Sequence, residues 1–238
     1  MTRDELRKLA MSENILVTQS SLKRSKPKYF YYLISYFLMR NDLTKMQRCP
    51  GCGNFLIHAA VKNALKELNI PKHKLVIVTG IGCASKFSQY VDGYGIETLH
   101  GRSLPFASWV KLSDPDLTVI AYGGDGDGYG IGLGHFLSSC RRDINLTYIV
   151  ADNENYALTT GQASPTTPIG IKTKSTPAWN TIGPFDPVAL AKAAWCNFSV
   201  AAKDKDLAEL TQTVIDAIQH QGFSHINVDQ ACPSWRKR

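Results

Sequence analysis

Leu117-Thr118-Val119-Ile120-Ala121-Tyr122, running through Gly123 into Gly124-Asp125-Gly126-Asp127-Gly128-Tyr129-Gly130-Ile131-Gly132, joins an apolar strand to a glycine-rich turn and then to a helix over residues 128–142. A strand without polar alternation has both faces covered, which is the habit of parallel sheets. The pattern recurs along the chain. Leu75 to Thr79, Ile144 to Ala151, Phe198 to Ala202 and Ile226 to Ala231 read as strands. Between them, helical spacing runs from Asn54 to Leu68, where Asn54 is the expected cap and Asn69-Ile70-Pro71 the stop, and again over Ser103 to Leu112, Pro187 to Cys196 and Asp206 to Gln221. Strands alternating with helices predict an α/β domain whose parallel sheet is covered by helices on both faces. Residues 159–186, rich in Pro, Thr and Gly, form a long loop of the kind that usually serves as a lid or a mobile segment.

In such a sheet the strand C-termini and helix N-termini share one edge, where ligands bind. The glycines of the turn stand at even positions from 124 to 134, so the odd step of a dinucleotide-binding G-x-G-x-x-G never occurs, and no Walker lysine follows. Two carboxylates in a phosphate-sized turn repel an anion unless a divalent cation lies between, which points to a diphosphate held through Mg²⁺. Asn153, 28 residues after Asp125 at the end of the next strand, stands in position to share that metal.

The six cysteines divide by edge. Cys49 and Cys52 precede a helix, and Cys83 and Cys232 follow strands, so all four belong to the ligand edge. Cys140 and Cys196 fall near helix C-termini at the opposite edge and read as buried thiols. Four converging thiolates hold either a tetrahedral zinc ion or an iron-sulfur cluster. The third and fourth cysteines lie 31 and 180 residues after Cys52, a spread that fits a cluster built into a sheet edge better than a zinc ribbon.

The chain has 238 residues, enough for one core, and an excess of 27 basic over 20 acidic side chains. Residues 1–48 carry ten basic against four acidic groups, including Lys23-Arg24-Ser25-Lys26-Pro27-Lys28 ahead of the apolar run Tyr29 to Met39. This segment reads as a basic N-terminal arm, either docking to a partner or surface or poorly ordered. The folded part, residues 49–238, is nearly balanced and shows no basic stripe with interleaved aromatics, which excludes nucleic-acid binding as the expected function. No apolar run reaches the roughly 18 residues of a membrane span. With cysteines too few and uneven for a disulfide scaffold and no cleavable signal, a reducing cytoplasm is the expected compartment.

From Cys49 to Cys232, the segments CPGCGN, GIGCAS, HGRSLPFA, GGDGDG, LTYIVADN, LTTGQASPTTP, GIKTKSTP and QACPSW follow one another in an order that resembles the β subunit of 2-oxoacid:ferredoxin oxidoreductases. The resemblance implies a thiamine diphosphate-binding fold in which Cys49, Cys52, Cys83 and Cys232 ligate a 4Fe-4S cluster. It implies that Asp125, the side chain of Asn153 and the backbone carbonyl of Asn155 bind Mg²⁺. Ile81, Gly82, Cys83, Ala84, His100, Gly126, Asp127, Ala157 and Leu158 would line the cofactor, and Lys86 matches a basic position that pairs with a substrate carboxylate. Thr160 stands where relatives often carry a lysine, and the segment before Cys49 has no counterpart.

Chemically, the resemblance implies coenzyme A-dependent oxidative decarboxylation of a 2-oxoacid, 2-oxoglutarate or pyruvate, to acyl-CoA and carbon dioxide, with electrons leaving singly through the cluster to ferredoxin. The glutamate that activates thiamine comes from a partner α subunit in this family. Glu97 and Glu154, the glutamates near the motif loops, match no such position, so the active unit is expected to be αβ or α2β2. Two other readings compete: an iron-free thiamine diphosphate-dependent 2-oxoacid decarboxylase subunit, and a non-enzymatic zinc-binding module.

Overall fold

A computed structural model of the chain describes residues 48–236. The basic arm expected over residues 1–48 lies, apart from Arg48, outside the described residues. In chain order the domain runs α1 (Asn54–Glu67), β1 (Leu75–Thr79), β2 (Tyr94–Glu97), α2 (Ser103–Ser113), β3 (Thr118–Gly124), a π-helical turn (Gly126–Ile131), α3 (Leu133–Arg142), β4 (Leu146–Asp152), the short pair β5 (Asn155–Tyr156) and β6 (Gln162–Ala163), α4 (Pro187–Ala193), β7 (Phe198–Lys203), α5 (Leu207–Gln219) and β8 (Phe223–Asp229).

Six strands form one sheet in the order β2-β1-β3-β4-β8-β7, every pairing parallel. Successive side chains alternate between its faces. Leu75, Ile77, Ile120, Tyr122, Ile149, Ala151, Ile226 and Val228 pack with Ile57, Val61, Ala64 and Leu65 of α1 and Leu210, Val214 and Ala217 of α5 in one buried cluster. The intervening strand residues Val76, Val78, Val119, Ala121, Tyr148 and Val150 are equally buried, as are Leu104, Ala107 and Val110 of α2 and Phe136 of α3. Each buried aliphatic side chain contributes about 1.5–3 kcal/mol over its exposed state, and the two apolar layers together hold the sheet between them.

Three local features differ from the sequence reading. Asn54 is the first residue of α1 and caps nothing; Gly53 takes the cap position. The helix expected over residues 128–142 opens instead as the π turn, and α3 begins only at Leu133. Residues 159–186 contribute β6, and the rest is laced by its own hydrogen bonds. Asn180, 3 % exposed, donates through Nδ2 to the carbonyls of Thr167, Pro168 and Ile182. Cys140 and Cys196 lie buried at the sheet edge opposite the motif loops, and Cys196 Sγ donates to the Phe198 carbonyl at 3.1 Å.

Candidate cofactor site

The parallel register sets the site. Gly124, the last residue of β3, pairs with Ala151 of β4, so Asp125, just past the end of β3, comes beside Asp152, the last residue of β4. Asp125 is 1 % exposed and Asp152 6 %. The hydroxyl of Thr166, from the long loop, reaches both, lying 2.9 Å from Asp125 Oδ2 and 2.8 Å from Asp152 Oδ1. One hydroxyl has one hydrogen, so it donates to one carboxylate and its oxygen faces the other. A proton on that second carboxyl, or a cation beside it, must complete the arrangement.

A buried chain of hydrogen bonds identifies which carboxylate keeps its charge. Ser199 Oγ lies 2.9 Å from His225 Nδ1, and Tyr129 Oη lies 2.8 Å from His225 Nε2 and 2.7 Å from Asn227 Oδ1. Tyr129 has a single hydrogen and Asn227 Oδ1 can only accept it, so His225 Nε2 must donate to Tyr129 and Nδ1 must accept from Ser199. Burial holds the His225 pKa at about 3, which keeps the ring neutral as this pattern requires. Asn227 Nδ2 then donates to Asp152 Oδ2 at 3.1 Å, and the Glu154 amide donates to Asp152 Oδ1. Every dipole in the chain points its hydrogen towards Asp152. Burial raises the pKa of both carboxylates, but the donors from Asn227 and the Glu154 amide offset this at Asp152, so Asp125 takes the proton or the cation; burial followed by the charge of Asp152 raises its pKa to about 7.

The other motif residues close around this point. Asn153 is buried, and its Oδ1 accepts from the Asn155 amide at 3.1 Å in a tight turn while keeping a second lone pair. Asn155 Oδ1 and Asp127 Oδ2 are buried with no partner among the described residues, two acceptors of the kind a cation or a ligand's donor group satisfies. Asp127 Oδ1 accepts from the amides of Ile81 at 3.0 Å and Gly101 at 2.8 Å, stapling the loop after β1 to the loop after β2. Gly80 has to be glycine here, because a Cβ would stand 2.1 Å from the Asp127 carboxylate. His100 Nδ1 lies 3.8 Å from Asp127 Oδ1. Gly126 passes under the ring of Tyr156, whose hydroxyl donates to its carbonyl at 3.2 Å. Gly82 has φ +135°, Ala84 is buried, Ile81 and Leu158 are exposed, and Ala157 is half-buried. Lys86 sits half-buried on the 3₁₀ segment Ala84–Gln89 after Cys83. Lys174 Nζ donates to Thr160 Oγ1 at 2.8 Å, which sets an ammonium at the position where the resemblance expects a lysine.

The cysteines of the carboxyl edge gather next to this loop set. Gly53 donates its amide to Ala231 O at 3.0 Å, and a Cβ on Gly53 would lie 1.7 Å from Asp204 Oδ2, so the CPGCGN turn sits tight on the end of β8. Burial, then the charges of Cys52, Cys232 and Cys49, raise the pKa of Cys83, while Arg48 opposes that shift. Asn54 Nδ2 and Gln230 Nε2 each approach Cys52 Sγ at 3.6 Å, and Ser234 Oγ approaches Cys49 Sγ at 3.6 Å. Polar hydrogens directed at sulfur suit thiolates that carry charge. Among the described residues, no three His, Cys, Asp or Glu side chains close round a single point as the ligands of one ion would.

Sequence reasoning overlooked Asp152, Thr166, Arg48 and Asn54. Asp152 adjoins Asn153, and Thr166 lies in the quoted SPTTP segment, so proximity to those motifs was the available signal. Glu97 is engaged by Gln89 Nε2 at 3.2 Å and Glu154 by Arg236 at 2.8 Å.

Residues 80–228 match the family described as thiamine pyrophosphate enzyme, C-terminal TPP binding domain. The chain is 46 % identical over 189 residues to the 2-oxoacid:ferredoxin oxidoreductase subunit beta of Saccharolobus solfataricus, which covers 79 % of this chain and 62 % of that protein. It is 38 % identical over 199 residues to the 2-oxoglutarate synthase subunit KorB of Archaeoglobus fulgidus, covering 84 % and 74 %. A solved 2-oxoglutarate:ferredoxin oxidoreductase from Magnetococcus marinus, with 2-oxoglutarate, coenzyme A and succinyl-CoA bound, superposes with a TM-score of 0.79 at 34 % identity over 84 % of this chain and 70 % of that one. With relatives of this identity and a fold that superposes on a solved member, the chain belongs to the family of 2-oxoacid:ferredoxin oxidoreductase β subunits.

Proposed function

We propose that this chain is the thiamine- and cluster-bearing subunit of an enzyme that oxidatively decarboxylates a 2-oxoacid, 2-oxoglutarate or pyruvate, to its coenzyme A thioester and passes the electrons to ferredoxin. The observation that carries the reading is the shared sheet edge: the Asp125, Asn153 and Asn155 loop and the loops of Cys49, Cys52, Cys83 and Cys232 adjoin there. Thiamine diphosphate with Mg²⁺ supplies the electron sink for loss of carbon dioxide, and a 4Fe-4S cluster supplies the one-electron acceptor.

The chain's own residues do the holding and the orienting. Asp125, Asn153 Oδ1 and the Asn155 carbonyl offer the oxygens that Mg²⁺ prefers, and Thr166 keeps Asp125 aimed. Asp127 fixes Ile81 and Gly101, so the backbone beside Gly82, Cys83, Ala84 and His100 forms a rigid wall against which a cofactor lies. Leu158, Ala157 and Gly126 complete that wall, and Lys86 pairs with the substrate carboxylate.

An α subunit supplies the thiamine-activating glutamate and covers apolar side chains left exposed near the site. Leu158, Ile169, Trp179 and Ile182 are between 52 % and 74 % exposed. Among the described residues no helix is long and apolar enough to cross a membrane, and the proposed working place is the cytoplasm, where free cysteines persist. Oxygen-free assays of the full chain co-expressed with its partner subunit test the proposal: ferredoxin should be reduced only when a 2-oxoacid and coenzyme A are both present. Carbon dioxide release without coenzyme A or ferredoxin reduction would favour the iron-free decarboxylase instead.

A further inference from the structure

Arg48 stands immediately before the first of the four cysteines, and its half-buried guanidinium lies in the cysteine site. One terminal nitrogen donates to the Cys83 carbonyl, and the other lies 3.2 Å from His58 Nε2. The guanidinium carbon is 5.7 Å from the centre of the Tyr90 ring. Its Nε is buried with no hydrogen-bond partner, and among the described residues no carboxylate pairs with it. A guanidinium cannot shed its proton, so a half-buried one needs an anion nearby.

His58 cannot supply that anion. The ring is 1 % exposed and packs on Phe87 at 4.3 Å between centroids and edge-on to Tyr122 at 5.7 Å. Burial, then Arg48 and Lys62, keep it neutral, so Nε2 accepts from Arg48 and the ring works as a rigid stop that aims the guanidinium. The groups in this corner that carry negative charge once a cluster is bound are its cysteine ligands: Arg48 directly precedes Cys49 and holds the Cys83 carbonyl.

We propose that Arg48, oriented by His58, is the counter-ion of the proposed 4Fe-4S cluster and raises its reduction potential. This inference rests on the cluster reading of Cys49, Cys52, Cys83 and Cys232. Four thiolates around an oxidised core give a net negative group, and reduction adds one electron and no proton. A fixed positive charge at the Cys83 loop stabilises the more negative reduced state, so the electron is accepted more readily. Arg48 is a positioning and tuning residue, with no contact to substrate required.

The test uses the full chain purified without oxygen and co-expressed with its partner subunit. Iron and sulfide are counted, and the cluster midpoint potential is measured by dithionite titration followed by electron paramagnetic resonance. Arg48→Gln should keep its iron and move the midpoint to more negative potential by at least the ~59 mV that a tenfold change in a one-electron equilibrium represents, while Arg48→Lys should stay near the wild type. His58→Gln should fall between them. Should Arg48→Gln lose its iron, Arg48→Lys must restore it, because lysine keeps the charge; iron absent from both variants would reduce Arg48 to a structural role and overturn the proposal. An iron-loaded Arg48→Gln with the wild-type potential would also overturn it, leaving the cluster reading intact. A wild-type protein without iron would instead sink the cluster reading itself, and this inference with it.

Discussion

Replacing Thr166 by valine keeps the shape of the side chain and removes the hydroxyl that serves both buried carboxylates. The residue is 5 % exposed, and its contacts to Asp125 and Asp152 are 2.9 Å and 2.8 Å. No cavity opens, so the cost is that of the bond the hydroxyl donates to Asp152 and the one it accepts from protonated Asp125. A hydrogen bond to a charged group is worth about 1.5–3 kcal/mol and one between neutral groups about 0.5–1.5 kcal/mol, which sets the loss at about 2–4.5 kcal/mol for the two. For a chain of this length each kcal/mol moves the melting temperature by about 2–4 °C, so Thr166→Val should melt about 10 °C lower. The assay is calorimetric or spectroscopic melting of the metal-free protein, repeated with Mg²⁺ and thiamine diphosphate. The ligands should raise the wild-type Tm and raise that of the variant much less, because Asp125 has lost its orientation. A fall of less than about 2 °C, the size of a neutral surface change, together with an unchanged ligand response, would refute the view that Thr166 holds the two carboxylates in register.

Other expectations follow from the same geometry. Asp125→Ala should abolish binding of thiamine diphosphate and Mg²⁺ in titration calorimetry while iron content stays unchanged; retained affinity would show that the metal lies elsewhere. Because burial raises the folded-state pKa of Asp125 from 3.8 to about 7, the metal-free native state holds that proton more tightly than the unfolded chain does. Its stability should therefore fall as pH rises from about 4 to about 7 in thermal melts, and saturating Mg²⁺ should flatten that slope. Cys232→Ser should lower the iron count and Cys140→Ser should not, since Cys140 faces the opposite sheet edge; the reverse would overturn the division by edge. Gly53→Ala, whose Cβ would lie 1.7 Å from Asp204 Oδ2 and 2.9 Å from the Ala231 amide, should lift the CPGCGN turn off β8 and cost iron along with stability.

Much of this architecture is written in local pattern. Leu75 to Thr79 is a strand with the same limits in sequence and in structure, because four successive apolar residues and Thr79, between a turn and a glycine, have nowhere to go but a buried interior strand. The edge rule placed Asp125 and Asn153 on neighbouring strand ends, and the β3–β4 register agrees. The strand Tyr94–Glu97 was illegible because a short edge strand holding a glycine carries little apolar signal. The start of β8 was hidden by Ser224 and His225, polar residues that are fully buried yet satisfied, Ser224 by the Ala217 carbonyl at 2.7 Å and His225 by Tyr129 and Ser199. Asn54 looked like a cap because its type favours one, but its side chain bridges Cys52 Sγ and the Tyr122 hydroxyl instead. Thr166 and Asp152 lie 14 residues apart and carry no shared spacing. Only the return of the long loop over the sheet edge joins them, and a one-dimensional pattern holds no record of that closure.

The account stands on two cofactor sites sharing one sheet edge. Its most direct test is the visible spectrum of the full chain, purified without oxygen beside its partner subunit, with iron, zinc, sulfide and thiamine counted in the same sample. The account predicts broad sulfur-to-iron absorption, about four irons per chain, and one thiamine diphosphate bound with Mg²⁺. Stoichiometric zinc in place of iron, or bound thiamine with no metal at the cysteines, would contradict it.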